Sequence, residues 1–416
     1  MGQACSVHGD DFIIVGATED LEWTVRGIEK RFDIKTEMLG PEPGMKQEVG
    51  FLNGRITWTA KRVAYEADSK HVGIVLNDLE MKDCKSVGAP MSPEDLKEAA
   101  SVIDENGETD EGEYMDAASA STYRSIAARM NYLAMGRTDL QQACRCICAY
   151  MSRPLKKCCQ LLKRMARYLK GRPRCVQLFP FEEMATGFRT YADSDWAGCK
   201  ATRKSTSGGV ITMGDSVLRS WSSVQSTMAL SSGEAELYAI IRAGSFTKYM
   251  VSLASDFGMT MDGIVLSDSA AALGICQRSG LGGRTRHVQV QYLWAQDSIQ
   301  KKELSICKVR GEHSLSDILT KPIGGEVLNR HLSRMQFTFP DINVGLNVCN
   351  TTRQHSSSDL IRAVSFAPIR QICMRTHDPL RPRGRGEVFG LMGPQVHGKD
   401  HLLQYRDKLR SSSRLP

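Results

Sequence analysis

The sequence has no apolar run approaching the roughly 18 to 20 residues that a membrane span needs, and no signal-peptide pattern opens it. The expectation is a soluble chain with no membrane partner. Its 13 cysteines follow neither a disulfide framework nor zinc-ribbon spacing. They are expected to stay reduced, which implies an intracellular setting without separating cytoplasm from nucleus. Gly-rich nucleotide signatures are missing, as is His-Glu-x-x-His, and Gly280-Leu-Gly282-Gly283 is too short to count as either. What remains is ordinary globular composition, with 41% hydrophobic and 24% charged residues, so wholesale disorder is excluded. The length of 416 residues suits two to three domains.

The net charge of +7 is unevenly placed. Residues 351–416 contain 12 Lys and Arg against 5 Asp and Glu, so this tail, with Arg381-Pro-Arg-Gly-Arg385 at its centre, carries the whole excess. The rest is neutral. If it grips nucleic acid, it must do so by local patterning.

Organisation along the chain supports five segments. Residues 1–90 read as mixed α/β: a hairpin with Asp10-Asp11 at its turn, a helix from Asp20 to Phe32, strands near 48–52 and 55–58, and a helix over 69–81. Met1-Gly2-Gln-Ala-Cys-Ser6 satisfies a myristoylation pattern, but it runs without a spacer into the hairpin, which favours a reading frame that begins inside an older domain. Residues 91–120 are crowded with acids between Asp104 and Asp116 and read as a solvated linker. Residues 121–185 are helical. Within them Cys144 and Cys148 share a helix face, as small buried hydrophobes do, and Lys156, Lys157, Lys163, Arg164, Arg167 and Lys170 decorate an amphipathic helix over 154–170 that could track phosphates. Residues 186–322 form a compact α/β unit, and 323–416 a basic tail expected to be disordered.

The α/β unit carries the chemistry. A strand runs through Tyr191 to Asp193, followed by a β-arm over 207–212, 217–221 and 224–230, then a helix that opens at Ser231-Ser-Gly-Glu234-Ala-Glu236. A second strand delivers Asp268 to a helix start, a third spans 303–309, and His313 to Pro322 opens a last helix. Asp193, Glu236, Asp268 and Asp317 therefore sit at strand ends or in early helical turns. Two divalent cations about 3.5–4 Å apart need such a set of carboxylates to cleave a phosphodiester in line. Hard oxygen ligands suit Mg²⁺, with Mn²⁺ as a substitute.

Several ordered motifs carry a resemblance: Tyr191-Ala-Asp-Ser-Asp-Trp-Ala-Gly198, Arg203-Lys-Ser-Thr-Ser-Gly208, Ser220-Trp221, Gln225-Ser226, Ala229-Leu-Ser-Ser-Gly-Glu-Ala-Glu236, Arg284-Thr-Arg-His287 and Asp317-Ile-Leu-Thr-Lys-Pro322. Together they resemble the ribonuclease H domain of copia-type retrotransposon Pol polyproteins. The earlier part is similar to the end of that family's reverse transcriptase. His8-Gly-Asp10-Asp11 stands where the family has its polymerase turn, and Tyr123-Arg-Ser, Asn131-Tyr-Leu, Arg137-Thr-Asp139-Leu and Arg167-Tyr-Leu-Lys-Gly171 resemble thumb and connection blocks.

The resemblance implies a ribonuclease H-like mixed sheet with flanking helices, preceded by a partial reverse-transcriptase palm, thumb and connection. It implies a catalytic and metal-binding set at Asp193, Glu236, Asp268 and Asp317, two Mg²⁺ ions, and hydrolysis of the RNA strand of RNA–DNA hybrids within a longer polyprotein. Arg284, Arg286 and His287 are candidates for holding hybrid phosphates, ahead of an apparent helix. Asp195 rivals Asp193, and Glu234 is expected in a capping box rather than at a metal. His313 is a candidate for proton transfer or product release, with a plain loop histidine as its rival; Trp196 and Trp221 are expected in the core.

Departures temper this. His8 replaces the usual Tyr of the polymerase turn, Gln289 and Gln291 replace an acidic and basic pair, and the upstream strand with the polymerase's other Asp is missing, so Asp10 and Asp11 are a remnant motif without expected polymerase activity. Two other classes stay open: an inactive nucleic-acid-binding relic, and an integrase- or transposase-type nuclease on a related fold.

Overall fold

The computed structural model describes residues 3–104, 106–280, 282, 287 and 292–340, with the backbone of 370–376. The described residues divide into two compact units, residues 3–36 with 370–376, and residues 37–340. In the first, Ala4–His8 and Asp11–Gly16 form the expected hairpin. Its turn falls on Gly9-Asp10, where Gly9 takes φ +63°, and Asp11 already belongs to the second strand, opposite His8. The helix Thr18–Glu29 follows, and Arg370–Thr376 pairs antiparallel with Asp11–Gly16.

The second unit is mixed α/β and holds two sheets. One is antiparallel, in the spatial order Phe337–Thr338, Val176–Pro180, Arg62–Glu66, Gly54–Trp58, Glu48–Phe51. The other positions the site. Its order is Ser216–Val224, Thr206–Met213, Gly187–Ser194, Asp262–Ser267, Ser305–Lys308; the first three strands are antiparallel and the last two join in parallel. The long helix Ser232–Asp256 makes the crossover that a parallel pair requires.

Alternation along the strands gives this sheet two buried faces. Ala192, Ile211, Trp221 and Val265 pack with Ala235, Ala239 and Ala243 of the long helix. On the opposite face, Val210 and Val217 join the core of a helical layer made by Lys70–Asp78, Ala117–Met135, Gln141–Cys148 and Cys159–Gly171. Buried Arg137 ties that layer together. Its guanidinium donates to Asp139 at 2.7 and 3.2 Å and to the Arg172 carbonyl at 2.7 Å, while the Tyr168 hydroxyl donates to Asp139 at 2.9 Å.

Several expectations need correction. The tail does not begin at 323: Gly325–Arg334 is a helix with Leu328 and Leu332 buried, and Phe337 pairs with the antiparallel sheet. Residues 341–369 and 377–416 lie outside the described residues. The acidic stretch is built rather than loose. Ser92 and Asp95 form a reciprocal cap on Pro93–Ala99, Ile103 is buried, and Asp116 caps Ala117–Met135 through the amides of Ala118 and Ser119. It is held by the basic segment, which is a 3₁₀-turn at Lys156–Cys158 followed by the helix Cys159–Gly171 rather than one helix over 154–170: Lys157 donates to Ser101 at 2.8 Å, Lys156 to the Gly112 carbonyl, and Arg164 sits 3.6 Å from Asp95. Arg167 donates to the Lys85 carbonyl at 2.9 Å. These cations are engaged within the chain, which weakens the phosphate-tracking reading.

Candidate metal centre

Asp193 lies near the end of the central strand and is only 5% exposed. Asp268 follows directly on the parallel neighbour. In that pair Leu266 stands beside Tyr191, and the register continued by two residues brings Asp268 level with Asp193. Ser269 then caps Ala270–Gln277, so the chain turns away and leaves Asp268 at the sheet edge. Glu236 comes from the second turn of the long helix. One of its oxygens accepts from the Ser194 amide at 3.3 Å; the other, Oε2, is buried with no hydrogen-bond partner among the described residues.

Carboxylate oxygens of Asp193, Glu236 and Asp268 lie within 4.8 Å of one another, the one such group of potential metal ligands among the described residues. Three acids this close repel when ionised. Burial, then the charges of Asp193 and Asp268, push Glu236 up to about 9. Asp193 is raised by burial and by Asp317, against the Thr320 hydroxyl, which donates to its carboxylate. Asp268 is raised by burial and by Asp193. An orphaned buried oxygen among mutually repelling hard donors fits a divalent cation.

Asp317 stands on the short 3₁₀-helix Leu315–Leu319, not on the α-helix expected there. It is outside the close triad, but its charge bears on both Asp193 and Asp268. Its Oδ2 pairs with Lys321 Nζ at 3.3 Å. Asp195 is used differently: its carboxylate accepts from the Thr206 amide and closes the loop between two strands. The structure thus brings Asp193, rather than Asp195, to the group.

Glu234 serves the helix start, as its spacing from Ser231 implies. The Ser231 hydroxyl accepts from the Glu234 amide at 3.2 Å, while Glu234 Oε2 reaches back to the Leu230 amide at 3.0 Å. It also meets His287 Nε2 at 2.8 Å and receives the Tyr238 hydroxyl at 2.5 Å. Burial raises its pKa, but the bonds from His287, Tyr238 and Leu230 outweigh that and hold it below the usual range. Arg284 and Arg286 lie outside the described residues. His313 is an exposed residue of a 3₁₀-turn, 3.6 Å from Glu312. Asp10 and Asp11 belong to the first unit, Asp10 in its hairpin turn and Asp11 at the start of the second strand.

Trp221 is buried as expected, whereas Trp196 is 56% exposed, with its indole N–H held on the Ala229 carbonyl at 3.2 Å. The expected third strand of the β-arm is a loop after Val224. Gln225 explains why. Its buried amide nitrogen lies 3.1 Å from the Ser194 hydroxyl, 2.9 Å from the Ser207 hydroxyl and 2.8 Å from the Ala235 carbonyl, so its two N–H groups tie two strands to the helix that carries Glu236. A glutamine in an otherwise strand-like run was the only signal for it.

No protein-family model matches the chain. It is 27% identical over 339 residues to the retrovirus-related Pol polyprotein from transposon RE1 of Arabidopsis thaliana, covering 80% of this chain and 21% of that protein. To the corresponding polyprotein from transposon TNT 1-94 of Nicotiana tabacum it is 25% identical, covering 76% of this chain and 23% of the relative. The chain therefore spans about a fifth of the length of these relatives. Among solved structures, LC11-RNase H1 in complex with RNA/DNA hybrid aligns over 35% of this chain and 99% of its own, at 18% identity and a TM-score of 0.24. The foamy viral protease-reverse transcriptase in complex with double-stranded DNA aligns over 64% of this chain and 38% of its own, at 12% identity and a TM-score of 0.35. Likenesses at these scores carry no weight on their own. No helix among the described residues is long and apolar enough to cross a membrane.

Proposed function

The chain is a homologue of the retrovirus-related Pol polyproteins of plant transposons, and from that premise we propose that its second unit is a ribonuclease H-type nuclease that cleaves the RNA strand of RNA–DNA hybrids. One observation carries the reading: three acids from three separate elements, Asp193, Glu236 and Asp268, converge within 4.8 Å, and Asp317 stands beside them. The order of the mixed sheet, with its two acid-bearing strands adjacent and parallel, supports it.

Asp193, Glu236 and Asp268 would hold one divalent ion, and Asp193 with Asp317 a second, with Mg²⁺ the expected metal and Mn²⁺ a substitute. Bound there, the ions would activate water and stabilise the leaving oxygen of an in-line displacement. The chain's own part is to fix the ligands. Ser194 N–H and Gln225 set Glu236 against the central strand, and Thr320 orients Asp193. A 2′-hydroxyl on the cut strand is what would distinguish RNA from DNA. The preceding residues are read as the end of a reverse transcriptase, with other parts of a longer polyprotein as partners and an intracellular setting. His287, held by Glu234, is the described member of the proposed phosphate-binding group.

The test is cleavage of a labelled RNA–DNA hybrid with Mg²⁺ by the wild type beside Asp268→Asn, which keeps the shape and removes the charge. Cleavage of the RNA strand that vanishes in the variant is the expected result. A folded wild type that binds hybrid without cutting it would overturn the enzyme and leave a binding protein.

A further inference from the structure

The four acids do not share one environment. Asp193, Glu236 and Asp268 face one another with no cation among the described side chains close enough to pair with them, whereas Asp317 has one: Lys321, at 3.3 Å. The Lys321 side chain is half exposed, but the backbone that carries it is held in place. Thr320, one residue before it, is 1% exposed and bonded to Asp193, and Pro322 follows directly, so the backbone on both sides is restrained. The Lys321 charge bears on Asp193, Glu236 and Asp268 as well as on its direct partner. Four ionised carboxylates are formally −4. One divalent ion and one ammonium leave −1, so most of the charge is met before any second ion arrives.

We propose that Lys321 is a tethered cation that occupies the Asp317 side of the centre and makes the two divalent ions load unequally: one readily at Asp193, Glu236 and Asp268, the second only by displacing the ammonium from Asp317. Lys321 is thus a positioning and competing residue, acting through Asp317. The inference rests on the metal-centre reading above. Its physical basis is that a fixed charge a few ångströms from a ligand opposes a second cation there, and that this effect exceeds solvent screening at a partly buried site.

The experiment is a Mn²⁺ titration of the full chain, with free ion followed by electron paramagnetic resonance, for the wild type, Lys321→Met, Lys321→Arg and Asp268→Asn. Thermal melts confirm folding, and Lys321→Gln replaces the methionine variant if that one does not fold. The wild type is expected to show a tight and a weak site. Lys321→Met should tighten the weak site by about tenfold and narrow the gap between the two, while Lys321→Arg preserves the unequal pair. Unchanged or weakened binding of the second ion in Lys321→Met would overturn the tethered-cation role while leaving the metal centre standing. Failure of the wild type to bind Mn²⁺ at all, or equal binding by Asp268→Asn, would overturn both.

Discussion

Thr320 reaches the carboxylate of Asp193 because Gly208, the residue facing Asp193 across the antiparallel pair, has no side chain. A Cβ on Gly208 would lie 2.8 Å from both Leu319 Cβ and Thr320 Cγ2. The short helix that carries Asp317 therefore rests directly on strand backbone. Leu319 also accepts the Ser222 hydroxyl there at 2.5 Å.

Gly208→Ala should push that helix away and loosen Asp317 and Thr320 together. We expect about 1–3 kcal/mol of lost stability from overpacking, and a fall in hybrid cleavage of at least about tenfold. Denaturant unfolding and single-turnover cleavage measure the two. Wild-type cleavage in a destabilised variant would show that the close approach serves packing alone.

Glu236 gives the metal-free protein a pH signature. Its proton is held up to about 9 in the fold, but is lost near about 4.3 in an unfolded chain. Between those values the folded state binds more protons, so this contribution is complete below the lower value and is lost as pH rises through the upper one. Melting temperature in chelator should fall more steeply from about pH 5 to about pH 9 in the wild type than in Glu236→Gln. Saturating Mg²⁺, by replacing the proton, should flatten the wild-type slope. Parallel slopes with and without Glu236 would contradict the assignment.

Arg137 is the strongest candidate for a stability defect away from the site. Arg137→Met would leave Asp139 buried beside Tyr168 without its cation. Removing one partner of a buried pair costs about 3–5 kcal/mol. Urea unfolding should show that loss, and Arg137→Met with Asp139→Leu should recover part of it.

Ser231→Ala removes the cap of the helix that delivers Glu236. The expected cost is about 1 kcal/mol, within the usual range for a lost N-cap. Glu234 keeps its own bond to the Leu230 amide, so cleavage should drop less than stability alone would suggest. A loss of cleavage as large as that of Asp268→Asn would mean the cap sets Glu236 directly.

Much of the site was legible because its acids follow local rules. Asp193 and Asp268 end apolar strands, and the Ser231 to Glu236 spacing announces a capped helix. What stayed hidden depends on distant partners. The run after Val224 looks like a strand until Gln225 is seen to serve two strands and a helix. Trp196 looks like core because indoles usually are, yet it stands in a loop against Ala229. The strands Ile34–Leu39 and Val176–Pro180 were missed for lack of clear alternation, and Gly325–Arg334 because the proline at 322 suggested an ending.

The same holds for the basic helix and the acidic stretch, which look like a nucleic-acid handle and a linker when read apart. In the fold, Lys156, Lys157 and Arg164 hold the stretch, and Arg153 pairs with Glu111. Ionic strength is then a variable of the fold itself. Raising the salt concentration should weaken the Arg153–Glu111 and Arg164–Asp95 pairs first, while the bonds from Lys156 and Lys157 to a carbonyl and a hydroxyl are less exposed to that screening.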